Sequence, residues 1–139
     1  MIVLVTGGSS GIGAAACRLF AAKGDTVYAA SRRGTLPEGT EACPGVIKAV
    51  SADVTAYESI AAAVDSVIEA EGRLDVVLCN AGNGIAGAIE ETTTEEAKYQ
   101  FETCFFGAHN TIRAALPHLR KQGYGKIIAT SSVAAVVPI

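Results

Sequence analysis

Thr6-Gly7-Gly8-Ser9-Ser10-Gly11-Ile12-Gly13 is the stretch whose residue types and spacing point most directly to chemistry. It lies between the apolar run Ile2 to Val5 and an alanine-rich segment that begins at Ala14. Closely spaced glycines between a β-branched run and a helix let the backbone approach a pyrophosphate, while the free amides of the helix N-terminus face the anion. A Cβ at Gly11 or Gly13 is expected to block either the ligand or the packing of helix on strand. The spacing is G-x-x-x-G-x-G, which alone is weak evidence, so the flanks matter. Ile2-Val3-Leu4-Val5 suits a buried parallel strand, and Ala14 to Lys23 a helix closed by Gly24. A glycine-rich turn that binds nothing is the alternative.

A second group of chemistry-bearing residues is Ser31-Arg32-Arg33, directly after the apolar run Thr26 to Ala30. In a dinucleotide-binding fold, this distance beyond the glycines is where the adenosine ribose is read. An acid there would bind a 2′-hydroxyl and repel a 2′-phosphate, whereas guanidinium groups bind phosphate in a bidentate fork. The residues therefore favour NADP(H) over NAD(H), with a solvated loop charge as the alternative for one arginine. Cys17, Cys43, Cys79 and Cys104 form no C-x-x-C pair and have no histidine at ligand spacing, so no metal site is expected and the thiols read as reduced packing residues. His109 and His118 read as surface or packing residues, with nothing nearby to orient either one.

Positioning these groups requires alternating strands and helices. Beyond the first two strands, the sequence predicts strands over 46–51, 74–79 and 125–130, with 34–45 left as irregular chain. Thr55-Ala56-Tyr57-Glu58 reads as a capping box opening a helix with apolar residues at Ile60, Ala63, Val64, Val67 and Ile68, stopped by Gly72. Thr93 to Glu96 reads as a second capping box, opening a long helix to about Lys121 that Pro117 should kink. The apolar residues of this helix spread widely, from Phe101, Phe105 and Phe106 to Leu119, so one face can cover the sheet and the excess needs another partner. The expected fold is a three-layer α/β/α Rossmann-type domain, doubly wound, with strand order 3-2-1-4-5. With 139 residues, 50% hydrophobic and a net charge of -3, the chain has material for one core and no electrostatic case for nucleic acid or an anionic membrane. Its first apolar run is too short for a signal peptide or a membrane span, which makes the cytoplasm the default location.

The glycine pattern Thr6-Gly7-x-x-x-Gly11-x-Gly13, followed in order by Asn80-Ala81-Gly82, resembles the short-chain dehydrogenase/reductases over the whole chain. The resemblance implies NAD(P) binding by Gly7, Ser9, Ser10, Gly11, Ile12 and Gly13. It places Asp53-Val54 beside the adenine, with Asp53 accepting from the exocyclic amine; an ordinary strand-end cap is the alternative. Asn80, Ala81 and Gly82 would support the central sheet and line the cofactor cleft, with Cys79 standing where many relatives carry another asparagine. Ser132 matches the serine that hydrogen-bonds a substrate carbonyl, with Ser131 its structural neighbour; two hydroxyls capping a strand are the alternative. Cys104 occupies the position of an asparagine that holds a water of the proton relay, and a thiol is a poor replacement as donor or acceptor.

The implied activity is hydride transfer between a nicotinamide and a small-molecule carbonyl or alcohol. A non-catalytic dinucleotide-binding or interaction module is the reading from another class. The family's Tyr-x-x-x-Lys proton donor follows the serine and is not found before Ile139. Residues 1–139 are thus expected to be the truncated N-terminal cofactor-binding part, nearly inactive alone, with a short chain that has lost its proton donor as the alternative. Relatives use the helix around 97–121 in a subunit interface, so a homo-oligomer is expected, with a helix buried within one larger domain as the alternative. The fifth strand, left without a neighbour, is expected to make the isolated chain self-associate.

Overall fold

The computed structural model describes residues 1–40 and 43–136. Five parallel strands form one sheet: β1 (Ile2–Thr6), β2 (Thr26–Ser31), β3 (Val46–Ser51), β4 (Val76–Cys79) and β5 (Lys126–Ala129). Their order is β3-β2-β1-β4-β5, as the alternating pattern predicts. Strand periodicity splits the apolar residues of β1 between two cores. Val3 and Val5 point to the side of α1 (Gly11–Ala22), where they meet Cys17 and Ala21. Leu4 points the other way, into a larger core built with Ile60, Val64 and Val67 of α2 (Tyr57–Glu71) and with Ala115 and Leu119 of the C-terminal helix.

Between β4 and β5 the chain forms one nearly continuous helical rod. It comprises α3 (Thr94–Phe101), a five-residue π-helical turn (Glu102–Phe106) and α4 (Gly107–Gln122). The Thr93 capping box forms as expected, with Thr93 Oγ1 accepting from the Glu96 amide and the Glu96 carboxylate accepting from the Thr93 amide. Pro117 lies inside α4 without ending it, and Gly123 closes the helix in the left-handed region at φ 82°. The buried stripe of α4 is Gly107, Thr111, Ala114, Ala115 and Leu119. Gly107 is required by close packing, since a Cβ there would sit 2.6 Å from Val54 Cγ2.

The strand and helix ends depart from the sequence reading in ways that have local causes. The Thr55 capping box does not form: Ala56 is the N-cap of α2 and makes no side-chain cap bond. The Thr55 hydroxyl instead donates to Asp53 Oδ1 at 2.7 Å, and the Thr55 amide donates to the same oxygen, so Thr55 closes a local turn on Asp53. Leu74 and Asp75 precede β4 instead of belonging to it. The Leu74 amide donates to the Gln122 side chain and its carbonyl accepts from the same amide group, so a side chain from the end of α4 replaces sheet pairing at Leu74, while Asp75 still bonds through its backbone to Ile2 and Lys126. Residues 34–40 and 43–45 contain neither helix nor strand; the rest of the 34–45 stretch, Glu41 and Ala42, lies outside the described residues, as does the chain end at Ile139.

Candidate functional site

The C-terminal ends of β1 to β4 open onto one cleft of about 670 Å³. Its floor is the β1–α1 turn. Gly7 adopts φ 67° and Gly11 φ 54°, left-handed values that disfavour other residues. A Cβ on Gly7 would lie 3.0 Å from Ala81 Cα, and one on Gly13 would lie 2.2 Å from the Gly7 carbonyl oxygen and 2.7 Å from Asn80 Nδ2. Around Gly11 a Cβ would meet no protein atom within 4 Å, which corrects the expectation for helix-on-strand packing there: within the protein, its positive φ is what favours glycine. The turn is fastened over the sheet by the Gly8 amide, which donates to the Ala30 carbonyl at 3.1 Å. α1 itself begins at Gly11, and its N-cap Ser10 makes no side-chain cap bond. The first-turn amides are therefore not consumed by their own cap, and they stand at the positive end of the helix dipole.

Thr6 and Asn80 hold β1 and β4 together at this point. Thr6 is almost fully buried, and its hydroxyl oxygen accepts from the amides of Asn80 at 3.0 Å and Ala81 at 3.1 Å. Asn80 Nδ2 donates to the Thr6 carbonyl and its Oδ1 accepts from the Thr130 hydroxyl, which reaches across to the end of β5. Asn80 thus acts in the sheet, while Ala81, Gly82 and Asn83 continue into the cleft wall.

The far wall combines the ends of β2 and β3. Ser31, Arg32 and Arg33 line it, and the Ser31 hydroxyl is buried with no hydrogen-bond partner among the described residues. Asp53 and Val54 line it as well. Asp53 Oδ1 accepts from both the hydroxyl and the amide of Thr55. These bonds hold its carboxyl below the ordinary aspartate range against the opposing effect of burial, and the nearby Arg32 guanidinium adds to the lowering. Part of the strand-end-cap alternative is therefore realised in the local bonding of Asp53.

Two residues that the sequence reading did not place in the site come from the helical rod. Tyr99 and Thr103 line the cleft, and the Tyr99 hydroxyl accepts from Arg32 Nη1 at 3.3 Å. Among the predicted site residues, Gly11, Ile12, Gly13, Asn80 and Ser132 are not part of the cleft wall. Ile12 is exposed and turned outward from α1. Ser132 is exposed just beyond β5, and its carbonyl accepts from the Ala135 amide in a 3₁₀ turn over Val133–Ala135.

Cys104 lies in the π-helical turn with its thiol against the Asn83 carbonyl oxygen at 3.3 Å. Cys17 and Cys79 are buried free thiols, each pushed up to about 11 by loss of solvation, so both are protonated at neutral pH. His118 does have an orienting partner, contrary to the sequence reading: its Nε2 is 2.9 Å from Asp65 Oδ1, an exposed pair between α4 and α2. No group of three or more metal-ligating residues occurs among the described residues, and none of their helices is long and apolar enough to cross a membrane.

The cradle, the orphaned Ser31 hydroxyl and the arginine-lined wall all fit a phosphate-bearing dinucleotide. Comparisons with known proteins agree with that fit. The family model of short chain dehydrogenases matches residues 1–139. A 3-ketodihydrosphingosine reductase of Bacteroides thetaiotaomicron is 40% identical over 138 residues, which cover 99% of this chain and 49% of that protein. The crystal structure of a short-chain dehydrogenase from Streptomyces avermitilis is 39% identical, with a TM-score of 0.88 over 98% of this chain and 50% of its own. An alcohol dehydrogenase of the archaeon Thermococcus sibiricus, complexed with 5-hydroxy-NADP, is 28% identical, with a TM-score of 0.88 over 99% of this chain and 60% of its own. The chain spans about half the length of the curated relatives it matches. Sheet order, glycine turn and full-length match together place this chain in the short-chain dehydrogenase/reductase family.

Proposed function

We propose that residues 1–139 are the cofactor-binding part of an NADP(H)-dependent oxidoreductase acting on a small-molecule carbonyl or alcohol. The observation that carries the cofactor choice is the end of β2, where Ser31, Arg32 and Arg33 line the cleft and no carboxylate follows the strand. When bound, the nicotinamide supplies or accepts the hydride. The chain's own residues do the rest. The amides at the start of α1 and the glycine turn receive the pyrophosphate, and Val54 and Asp53 flank the adenine. Arg32 and Arg33 neutralise the 2′-phosphate, while Ala81 and Gly82 shape the wall along the cofactor.

Ser132, at the open end of β5, is the candidate to hydrogen-bond a substrate carbonyl. The names of two similar proteins support the reading: one is a reductase of a keto compound, and the other was solved with an NADP derivative. Phe101, Phe105 and Phe106 leave the helical rod 63%, 60% and 44% exposed, which supports assembly through this rod in a homo-oligomer. The four free cysteines are consistent with a cytoplasmic setting.

Equilibrium titration of the chain with NADPH and NADH tests the cofactor choice. NADPH should bind more tightly, and Arg32→Asp should narrow the preference by about tenfold or reverse it, since a charge-assisted bond is replaced by repulsion. Equal or tighter binding of NADH by the unmutated chain would overturn the reading.

A further inference from the structure

Tyr99 belongs to the wall of the cleft but to none of the elements that form the dinucleotide cradle. It projects from α3, a helix with no buried residue, and it is 48% exposed. Its hydroxyl stands across the cleft mouth from the end of β2, where it accepts from Arg32 Nη1 at 3.3 Å. That bond joins residues 67 positions apart. A further tie between α3 and the cleft is Gln100, whose Nε2 donates to the Asn83 carbonyl at 3.5 Å.

A phenol that accepts from a guanidinium keeps its own proton for donation. Arg32 and Tyr99 therefore offer hydrogen-bond donors to the same part of the cleft from two different walls. We propose that Tyr99 is a specificity-determining residue for the adenosine 2′-phosphate: it steadies the Arg32 guanidinium over the cleft and donates its own O–H to the phosphate. The proposal rests on the NADP(H) reading above and adds a second wall to it. The bland alternative is an exposed surface contact of the kind that contributes nothing measurable.

The test is a set of binding titrations with NADPH and NADH on the unmutated chain, Tyr99→Phe, Arg32→Ala and the double variant. Tyr99→Phe should weaken NADPH by about three- to tenfold, the size of one hydrogen bond to a charged group, and leave NADH within about twofold. In the Arg32→Ala background the same change should cost NADPH binding clearly less, because the tyrosine then has no guanidinium to steady. Removing an exposed hydroxyl should leave the melting temperature unchanged. An equal loss for both nucleotides would assign Tyr99 to the cleft wall alone and overturn the proposal, as would an unchanged NADPH to NADH ratio in a chain that favours NADPH. An unmutated chain that binds both equally would instead overturn the cofactor reading, and this proposal with it.

Discussion

Thr6 concentrates more structure into one side chain than any charged residue of the site. Its hydroxyl takes two amides at the start of the cleft wall and faces the Leu78 carbonyl at 3.4 Å. Because Thr6 is 1% exposed, no water can replace these bonds if the hydroxyl is removed. Thr6→Val keeps the shape and leaves the Asn80 and Ala81 amides without an acceptor. It should cost about 2–6 kcal/mol in urea unfolding, at about 1–3 kcal/mol for each of the two stranded buried donors, and Thr6→Ser should recover most of the loss. A valine variant as stable as the parent would show that the amides find another acceptor. At this scale the sequence was informative only where chemistry was local. The glycines and the arginines announced themselves, and Asn80 followed from the resemblance. The pairing of Tyr99 with Arg32 joins two distant segments and carries no local signal. The partner of His118 carried no local signal for the same reason, since Asp65 lies on another helix; its reading as a surface or packing residue is unaffected.

At the scale of elements, glycines of one turn have different physical reasons. Within the protein, Gly11 needs glycine only for its positive φ, so Gly11→Ala should cost about 1–2 kcal/mol of backbone strain. Gly13 sits where a Cβ would overlap the Gly7 carbonyl at 2.2 Å and crowd Asn80, and neither can withdraw without moving the turn or the β1–β4 clamp. Gly13→Ala should therefore destabilise the chain more than Gly11→Ala, by about 1–3 kcal/mol, and should weaken NADPH binding as well. Urea unfolding of the two variants side by side decides it, and a Gly13→Ala variant no less stable than Gly11→Ala would contradict the packing argument. The same contrast separates the two capping boxes. At Thr93 the hydroxyl accepts from the Glu96 amide and the box forms; at Thr55 the hydroxyl and the amide both donate to Asp53 Oδ1 in a local turn, and α2 has no side-chain cap bond. A spacing rule for the box does not register the local Asp53–Thr55 turn that takes its place.

Across the whole molecule, sheet order was legible because three of the four connections between successive strands carry a periodic helix, the β2–β3 connection being the exception, and because right-handed crossovers leave few topologies. The division of the helical rod was not legible. Its apolar residues run through Phe101, Phe105 and Phe106, yet the buried stripe begins only at Gly107, where close approach to Val54 starts. The phenylalanines are consequently left outside, with Phe105 and Phe106 packed edge to face at 5.1 Å on the surface. On the same molecule β5 forms an edge of the sheet, with Ile128 45% exposed. An edge strand offers unpaired amides and carbonyls to any neighbouring strand, and exposed aromatic side chains add an apolar driving force to the same encounter. The net charge of -3 gives only weak repulsion between copies. Purified at 139 residues, the chain should therefore self-associate with rising concentration. Sedimentation velocity should show its mean mass climbing well above the monomer, and Phe105→Glu together with Ile128→Lys should bring it down. A strictly monomeric chain across that range, with a sharp cooperative melt, would mean that these surfaces are not sticky enough to pair and that the rod does not serve as an interface in this part of the protein.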